Sequence, residues 1–336
     1  MLKKHLILLT LTLLPLIASA NEPALRSAYC APFFNIDSLT LEPLKGGCST
    51  APIYAFFQDN KKYVLRYTHA SQRMSFQDEL TAHKAGAALG IAPEIICADP
   101  DAQYMVMPFV DGHLLSSEDI KSDDFIRLLG NTIRKLHNFS GTYPTQASTL
   151  MERISGNFKE GQKKDLAFPS SFGAQIERLL LQKPKALVPS HTDLHPGNII
   201  VKDHTISLID WALATFDDPF TDLCYISLTN NFSLKQEQVF LETYLEKAPT
   251  EAEWQQLSIA KSKYYLFMAS IYFLCAEVPK KEQEALIDQK LAWTPIKSAD
   301  EHSEKEPFVN FRTASKEEIL QCGLSFYKKY LLISSP

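Results

Sequence analysis

Two runs rich in β-branched and aromatic residues, IYAFFQ over 53–58 and KYVLRYT over 62–68, flank the polar pair Asp59 and Asn60. Extended apolar runs joined by such a pair predict a β-hairpin. From Ser75 to Leu89 the apolar positions take up helical spacing, and Gly90 stands where a helix would end. The runs APEIICADP and QYMVMPFV then predict two further strands. The first 110 residues read as a small sheet with one long helix.

After Asp111 and Gly112 the pattern becomes mainly helical. Helices are predicted over 123–139, 171–183, 234–247, 251–275 and 315–332, the last opening with a Ser315 and Glu318 capping box. The exception is NIIV, a turn at Lys202 to His204, and ISLID, which predict a second short hairpin set among helices. No internal repeat or low-complexity segment is present. Two lobes follow, an N-lobe over 21–110 and a C-lobe over 111–336.

The first twenty residues have a separate logic. Lys3 and Lys4 precede an apolar run from Leu6 to Ile17, followed by Ala18, Ser19 and Ala20, the pattern of a secretory signal peptide cleaved after Ala20. The run is too short to cross about 30 Å of hydrocarbon. Export without stable membrane insertion after cleavage is expected. Of the 336 residues, 45% are hydrophobic and 22% charged, an ordinary globular balance. A net charge of −5, without a basic run interleaved with aromatics, argues against a nucleic-acid partner. The six cysteines (Cys30, Cys48, Cys97, Cys224, Cys275, Cys322) form no C-x-x-C pair, which excludes the usual zinc and redox patterns. An exported chain can pair some of them, but most, such as those beside Ile96, Leu223 and Leu274, read as buried free thiols.

The densest chemistry lies in HTDLHPGNII, residues His191 to Ile200. Asn198 and Asp210 fall at the two ends of the second hairpin, where their oxygens suit Mg²⁺. Asp193 is left to accept a proton from a hydroxyl. His191 is expected to brace the loop, while His195 and Pro196 shape the turn, with His195 also in a position to approach a phosphate.

This constellation resembles the catalytic loop of the kinase-like phosphotransferases, the aminoglycoside phosphotransferase and choline kinase family, with particular likeness to bacterial choline and ethanolamine kinases. In the family pattern H-x-D-x-x-x-x-N, the positions are His191, Asp193 and Asn198, and the metal aspartate is Asp210 in IDWA, followed by Asp222 in DDPFTDLCYIS. Upstream, Gly46 and Gly47 in LKGGCSTAPIYAFF look like the phosphate loop, Arg66 stands at the place of the phosphate-binding cation, and Glu79 at that of its helix partner. YMVMPFVDG resembles the hinge, where main-chain groups from Met107 to Phe109 would hold an adenine. Two positions depart from the pattern: Ala212 follows the tryptophan where choline kinases usually have an acid, and Thr50 follows the glycine pair where asparagine is common.

The resemblance implies an α+β, bilobal protein-kinase-like fold, ATP and Mg²⁺ as cofactors, and a phosphotransferase whose acceptor is a small cationic alcohol, choline or a related amino-alcohol. Asp210 and Asp222 lie too close for the activation segment of a protein kinase, which favours a small acceptor. Trp254, Tyr264, Tyr265, Phe267 and Tyr272 are candidates for an aromatic wall against a quaternary ammonium. Two other readings stay open: a pseudokinase that binds nucleotide or cation without turnover, and a secreted kinase that modifies a host-cell acceptor.

Overall fold

A computed structural model describes residues 29–34, 39–44, 52–68, 75–145, 148–281, 287–288 and 314–334. The expected leader over 1–20 and the Gly46 and Gly47 loop lie outside the described residues. Near the start of the chain, β1 (Glu42–Pro43), β2 (Ile53–Gln58), β3 (Lys61–Tyr67), β4 (Cys97–Asp99) and β5 (Tyr104–Pro108) form an antiparallel sheet of order β1-β2-β3-β5-β4. Asp59 (φ 50°) and Asn60 (φ 60°) both take the left-handed conformation that a two-residue hairpin turn requires. Side chains alternate along β5: Tyr104 and Val106 pack with Phe34 and Phe56 on one face, while Met105 and Met107 meet Phe76 and Leu80 on the other. Those last two residues belong to α1 (Phe76–Ala88), capped by Ser75 and ended by Gly90 at φ 67°.

Cys30 and Cys97 form a disulfide across 67 residues of chain, which corrects the reading of Cys97 as a buried thiol. Burial beside Ile96 is common to both states, and only the segment over 29–34 lying against the sheet reveals the partner. Cys224 and Cys322 are buried free thiols, and Cys275 is a half-buried one. On chain-entropy grounds, closing a loop of this length stabilises by about 4 kcal/mol, less any native strain. Urea unfolding of oxidised and reduced protein should therefore differ by roughly 2–4 kcal/mol; equal midpoints would show that the bridge is not formed.

The remainder is helical around α7 (Glu251–Ala276), with α2 (Asp123–His137), α3 (Leu150–Lys163), α4 (Phe172–Leu180), α5 (Pro219–Thr229), α6 (Leu234–Leu245) and α8 (Lys316–Ser334). α3 and α5 were not expected. α3 carries Gly156 and Gly161, which weaken a helical pattern, although its Thr149 and Glu152 capping box was readable. α5 is buried on almost every side and so lacks an amphipathic period.

Four of the five aromatics expected to form a wall belong to the core instead, with Tyr264 and Tyr272 fully buried and Tyr265 and Phe267 nearly so. Tyr264 packs edge-on to Tyr225 at 4.9 Å and Tyr272 stacks on Phe326 at 5.4 Å. Trp254 is half-buried against the same core. Within this lobe β6 (His113–Leu114), β8 (Ile199–Lys202) and β9 (Thr205–Leu208) form one small sheet, and β7 (Val188–Ser190) pairs with β10 (Thr215–Asp217). Among the described residues no helix is long and apolar enough to cross a membrane.

The lobes meet at α1. A Cβ on Gly86 would lie 2.4 Å from Trp211 Cζ2, so only glycine lets the helix approach the residue next to Asp210. The Leu208 N–H donates to the Ile91 carbonyl at 2.7 Å beside this contact.

Candidate active site

β7 delivers the chain into the loop 191–198, and a carboxylate from α5 fixes its entry. Asp222 Oδ2 accepts the His191 N–H at 2.8 Å and Oδ1 accepts the Thr192 N–H at 2.7 Å, which holds Thr192 at φ 60°. His137 Nε2 lies 3.1 Å from the same Oδ2, and its Nδ1 meets the Tyr244 hydroxyl at 2.9 Å. Burial acts against the Asp222 charge, but the hydrogen bonds it accepts from His137 and from the His191 N–H outweigh that cost and hold the carboxyl below its ordinary range.

His191 is the brace that its position suggested. Its Nε2 donates to the Ile209 carbonyl at 3.0 Å, its ring packs 4.7 Å from that of Trp211, and burial pushes its pKa down toward the neutral ring. His195 accepts the Gly197 N–H on Nδ1 at 3.0 Å, which assigns the remaining proton of a neutral ring to Nε2. That Nε2 lies 4.0 Å from Asp193 Oδ2.

Asp193 is only 8% exposed. Asn198 Nδ2 donates to its main-chain carbonyl at 2.9 Å and to its Oδ2 at 3.2 Å. Burial raises the Asp193 pKa, opposed by His195 and reinforced by Asp210. A carboxylate held in place and made more basic is what proton transfer from an alcohol needs.

With both amide hydrogens of Asn198 engaged, its Oδ1 remains for a cation. The Ile209 N–H donates to the Asn198 carbonyl at 3.0 Å, tying the hairpin ends together and bringing Asp210, at φ 63°, close to Asn198. Among the described residues no three His, Cys, Asp or Glu side chains gather as a metal cage. One amide oxygen and one carboxylate fit Mg²⁺, which keeps waters and phosphate oxygens in its shell.

Arg66 joins the lobes. Its Nη2 donates to Asp210 Oδ1 at 2.5 Å and its Nε to Glu79 Oε1 at 2.8 Å, while Thr68 Oγ1 donates to Glu79 Oε2 at 2.8 Å. Burial acts against the Arg66 charge, yet Asp210 and Glu79 overcome it and hold the guanidinium above its ordinary pKa. Lys cannot reproduce this planar fork, so Arg66→Lys should raise the KM for Mg·ATP while keeping the charge. Arg66→Met and Glu79→Gln should each destabilise by about 3–5 kcal/mol, because each strands a buried partner, and the double variant by less than their sum. Additive losses in a denaturation cycle would show that the two act separately.

At the hinge the main-chain groups from Met107 to Phe109 divide. Phe109 was expected to offer main-chain groups to adenine, but its N–H donates to the Lys62 carbonyl at 2.9 Å and its ring lies 3.9 Å beneath Lys62 Nζ. The Met107 side chain is buried against α1, and its backbone pairs in register with Val64. Antiparallel pairing alternates, so within that span the Pro108 carbonyl is the group turned away from β3, beyond the end of β4.

A model of the phosphotransferase enzyme family matches residues 40–257. A LicA homolog of Mycoplasma capricolum is 28% identical over 149 residues, 43% of this chain and 58% of that protein. Haemophilus influenzae LicA is 23% identical over 244 residues, 68% of this chain and 90% of that protein. The chain spans only 58% and 51% of the two mycoplasma relatives it matches. Among solved structures, a choline/ethanolamine kinase family protein from Mesorhizobium loti superposes with a TM-score of 0.60 at 20% identity, covering 88% of this chain and 92% of that one. Choline kinase LicA from Streptococcus pneumoniae gives 0.60 at 17% identity, covering 86% and 92%. At these identities the likeness is one of fold, and the fold is the α+β, bilobal kinase-like one.

Proposed function

This chain belongs to the phosphotransferase enzyme family, and from that membership we propose that it transfers the γ-phosphoryl group of ATP to the hydroxyl of a small alcohol, choline or a related amino-alcohol. The observation that carries the reading is the Asp193 carboxylate, buried, raised in pKa and held by Asn198, beside the Arg66, Asp210 and Glu79 chain. Asp193 takes the proton of the acceptor hydroxyl as its oxygen bonds to the γ-phosphorus and ADP leaves. Arg66 orients the phosphates. Asn198 and Asp210 would hold Mg²⁺, which when bound neutralises phosphate charge. Positioning and charge neutralisation, rather than covalent catalysis, supply the acceleration.

The amino-alcohol reading is supported by the choline kinase and ethanolamine kinase names borne by the similar structures. Labelled ATP offered with choline, ethanolamine, thiamine, aminoglycosides and a protein lysate tests it. Phosphorylation of choline or ethanolamine is the expected result. Transfer to none of the small alcohols would reject it, and labelling of lysate protein alone would favour a host-cell acceptor.

We also propose that the chain works outside the cytoplasm, where it would meet nucleotide after leaving the producing cell, for example inside a host. The leader pattern over 1–20 supports this, as does the Cys30 and Cys97 disulfide, a bond rare in reducing compartments. Mass spectrometry of the endogenous chain should find an N-terminus near Asn21 and an intact bridge. An intact Met1 with reduced cysteines in a cytoplasmic fraction would reject export.

A further inference from the structure

Charges buried in the helical lobe are generally matched. Lys263 pairs with Asp218 at 3.2 Å, and the buried Glu237 with the half-buried Lys261 at 2.5 Å. Arg153, on α3 and 3% exposed, is the exception: Nε, Nη1 and Nη2 have no hydrogen-bond partner among the described residues. A guanidinium does not discharge at any pH a protein meets, so burying one with its donors unused is strongly unfavourable unless something completes it.

Asp217 does not complete it. Its Oδ2 accepts the Leu150 N–H at 2.9 Å and its Oδ1 the Asp218 N–H at 2.7 Å. The Arg153 guanidinium lies over the face of Phe267, 5.6 Å from the ring centroid. A second orphan lies nearby, the fully buried hydroxyl of Tyr225 on α5. Leu150, three residues before Arg153, donates its N–H to Asp217 on β10, which pairs with β7 at the entry to the loop. Tyr225 stands three residues after Asp222, which holds the His191 and Thr192 N–H groups, so both orphans sit on the elements that carry the base, within reach of its charge.

We propose that Arg153 and Tyr225 form an anion subsite beside Asp193, and that the preferred acceptor carries a carboxylate or phosphate in addition to its hydroxyl. The inference rests on the phosphotransferase reading and ranks its acceptors: alcohols with an anionic arm bind tighter than bare choline or ethanolamine, which remain weaker substrates. The Phe267 face, a place where a ligand's quaternary ammonium was expected, already carries the protein's own cation. A bare choline beside it meets like charge, whereas an anionic arm gives the guanidinium the planar, charge-assisted partner it lacks.

The experiment uses the mature full chain with Mg²⁺ and a non-hydrolysable ATP analogue, and compares acceptors that differ by the arm: ethanolamine with serine, choline with carnitine, and glycerol with glycerol 3-phosphate. In calorimetry, the arm-bearing member of the carboxylate pairs or of the phosphate pair should bind roughly tenfold or more tighter, the effect of one hydrogen bond to a charged group, and which pair shows this identifies the anion. Arg153→Met keeps the length without the charge and should abolish the preference, Arg153→Lys should restore part of it, and Tyr225→Phe should reduce it several-fold. Equal or tighter binding of the bare members by the wild type overturns the subsite even if Arg153→Met fails to fold, as does a preference that Arg153→Met leaves intact. Turnover of the same compounds is read separately. Anion-selective binding without phosphoryl transfer rejects the phosphotransferase reading and leaves the subsite standing, while transfer to bare choline without any preference does the reverse.

Discussion

Asp193→Asn should lower kcat by about two to four orders of magnitude while Mg·ATP still binds, the range for losing a positioned general base. Asn keeps the shape and can still accept from Asn198 Nδ2, so the loop conformation survives and the proton acceptor does not. The wild-type pH profile should carry the mark of the same residue. Burial raises the Asp193 pKa above the ordinary 3.8, so activity should fall on the acid side at a higher pH than a solvated carboxylate would give. Stability should run the opposite way. A carboxyl whose folded pKa is raised contributes stability below its unfolded pKa and loses it as pH rises through the folded value. At neutral pH the ionised Asp193 therefore weighs against folding, and Asp193→Asn should melt no lower than wild type there, with its advantage shrinking toward acid. Melting curves and steady-state rates over pH 4–8 check both halves, and a variant that turns over normally would remove Asp193 from the chemistry.

The parts of this molecule that were readable in advance are those written in contiguous residues. The hairpin turns at Asp59 and Asn60, and at Asp203 and His204, are set by residues that accept positive φ. Asp193, Asn198 and Asp210 come together because one short loop and one hairpin carry all three, so their spacing is nearly their geometry. Arg66 and Glu79 are paired in advance only through the resemblance to the family, since nothing within either segment says how strand and helix pack to bring them together.

What escaped depends on contacts between distant segments. Nothing near Cys97 announces Cys30, and the direction of the Phe109 N–H is fixed by strand register, which is invisible in QYMVMPFV. Arg153 reads as one more charged residue on a helix that its glycines disguise, and only the packing of α3 on α7 shows it buried. The α7 aromatics show the converse error. Helical spacing identified a real pattern, but over 262–274 the helix is buried on every side against its neighbours, and the pattern described core.

Asp210→Ala should abolish the Mg²⁺ dependence of nucleotide binding, and the Arg66 contact makes the form of that loss specific. Asp210 already serves one cation, its Oδ1 accepting from Arg66 Nη2, and under the proposed function it would, with Asn198, serve a second, the metal that accompanies ATP. Removing the carboxylate would delete the proposed metal ligand and would also take a negative charge from beside the proposed phosphate site. Arg66 is not set loose, because Glu79 still accepts its Nε. ATP measured in EDTA should therefore bind the variant as well as or better than wild type, while the tightening that Mg²⁺ produces in wild type disappears. Asp210→Asn, which keeps an oxygen without the charge, should fall between the two. Titration of ATP with and without Mg²⁺ on all three proteins reads this directly, and a folded Asp210→Ala protein that retains the full Mg²⁺ effect would place the metal elsewhere.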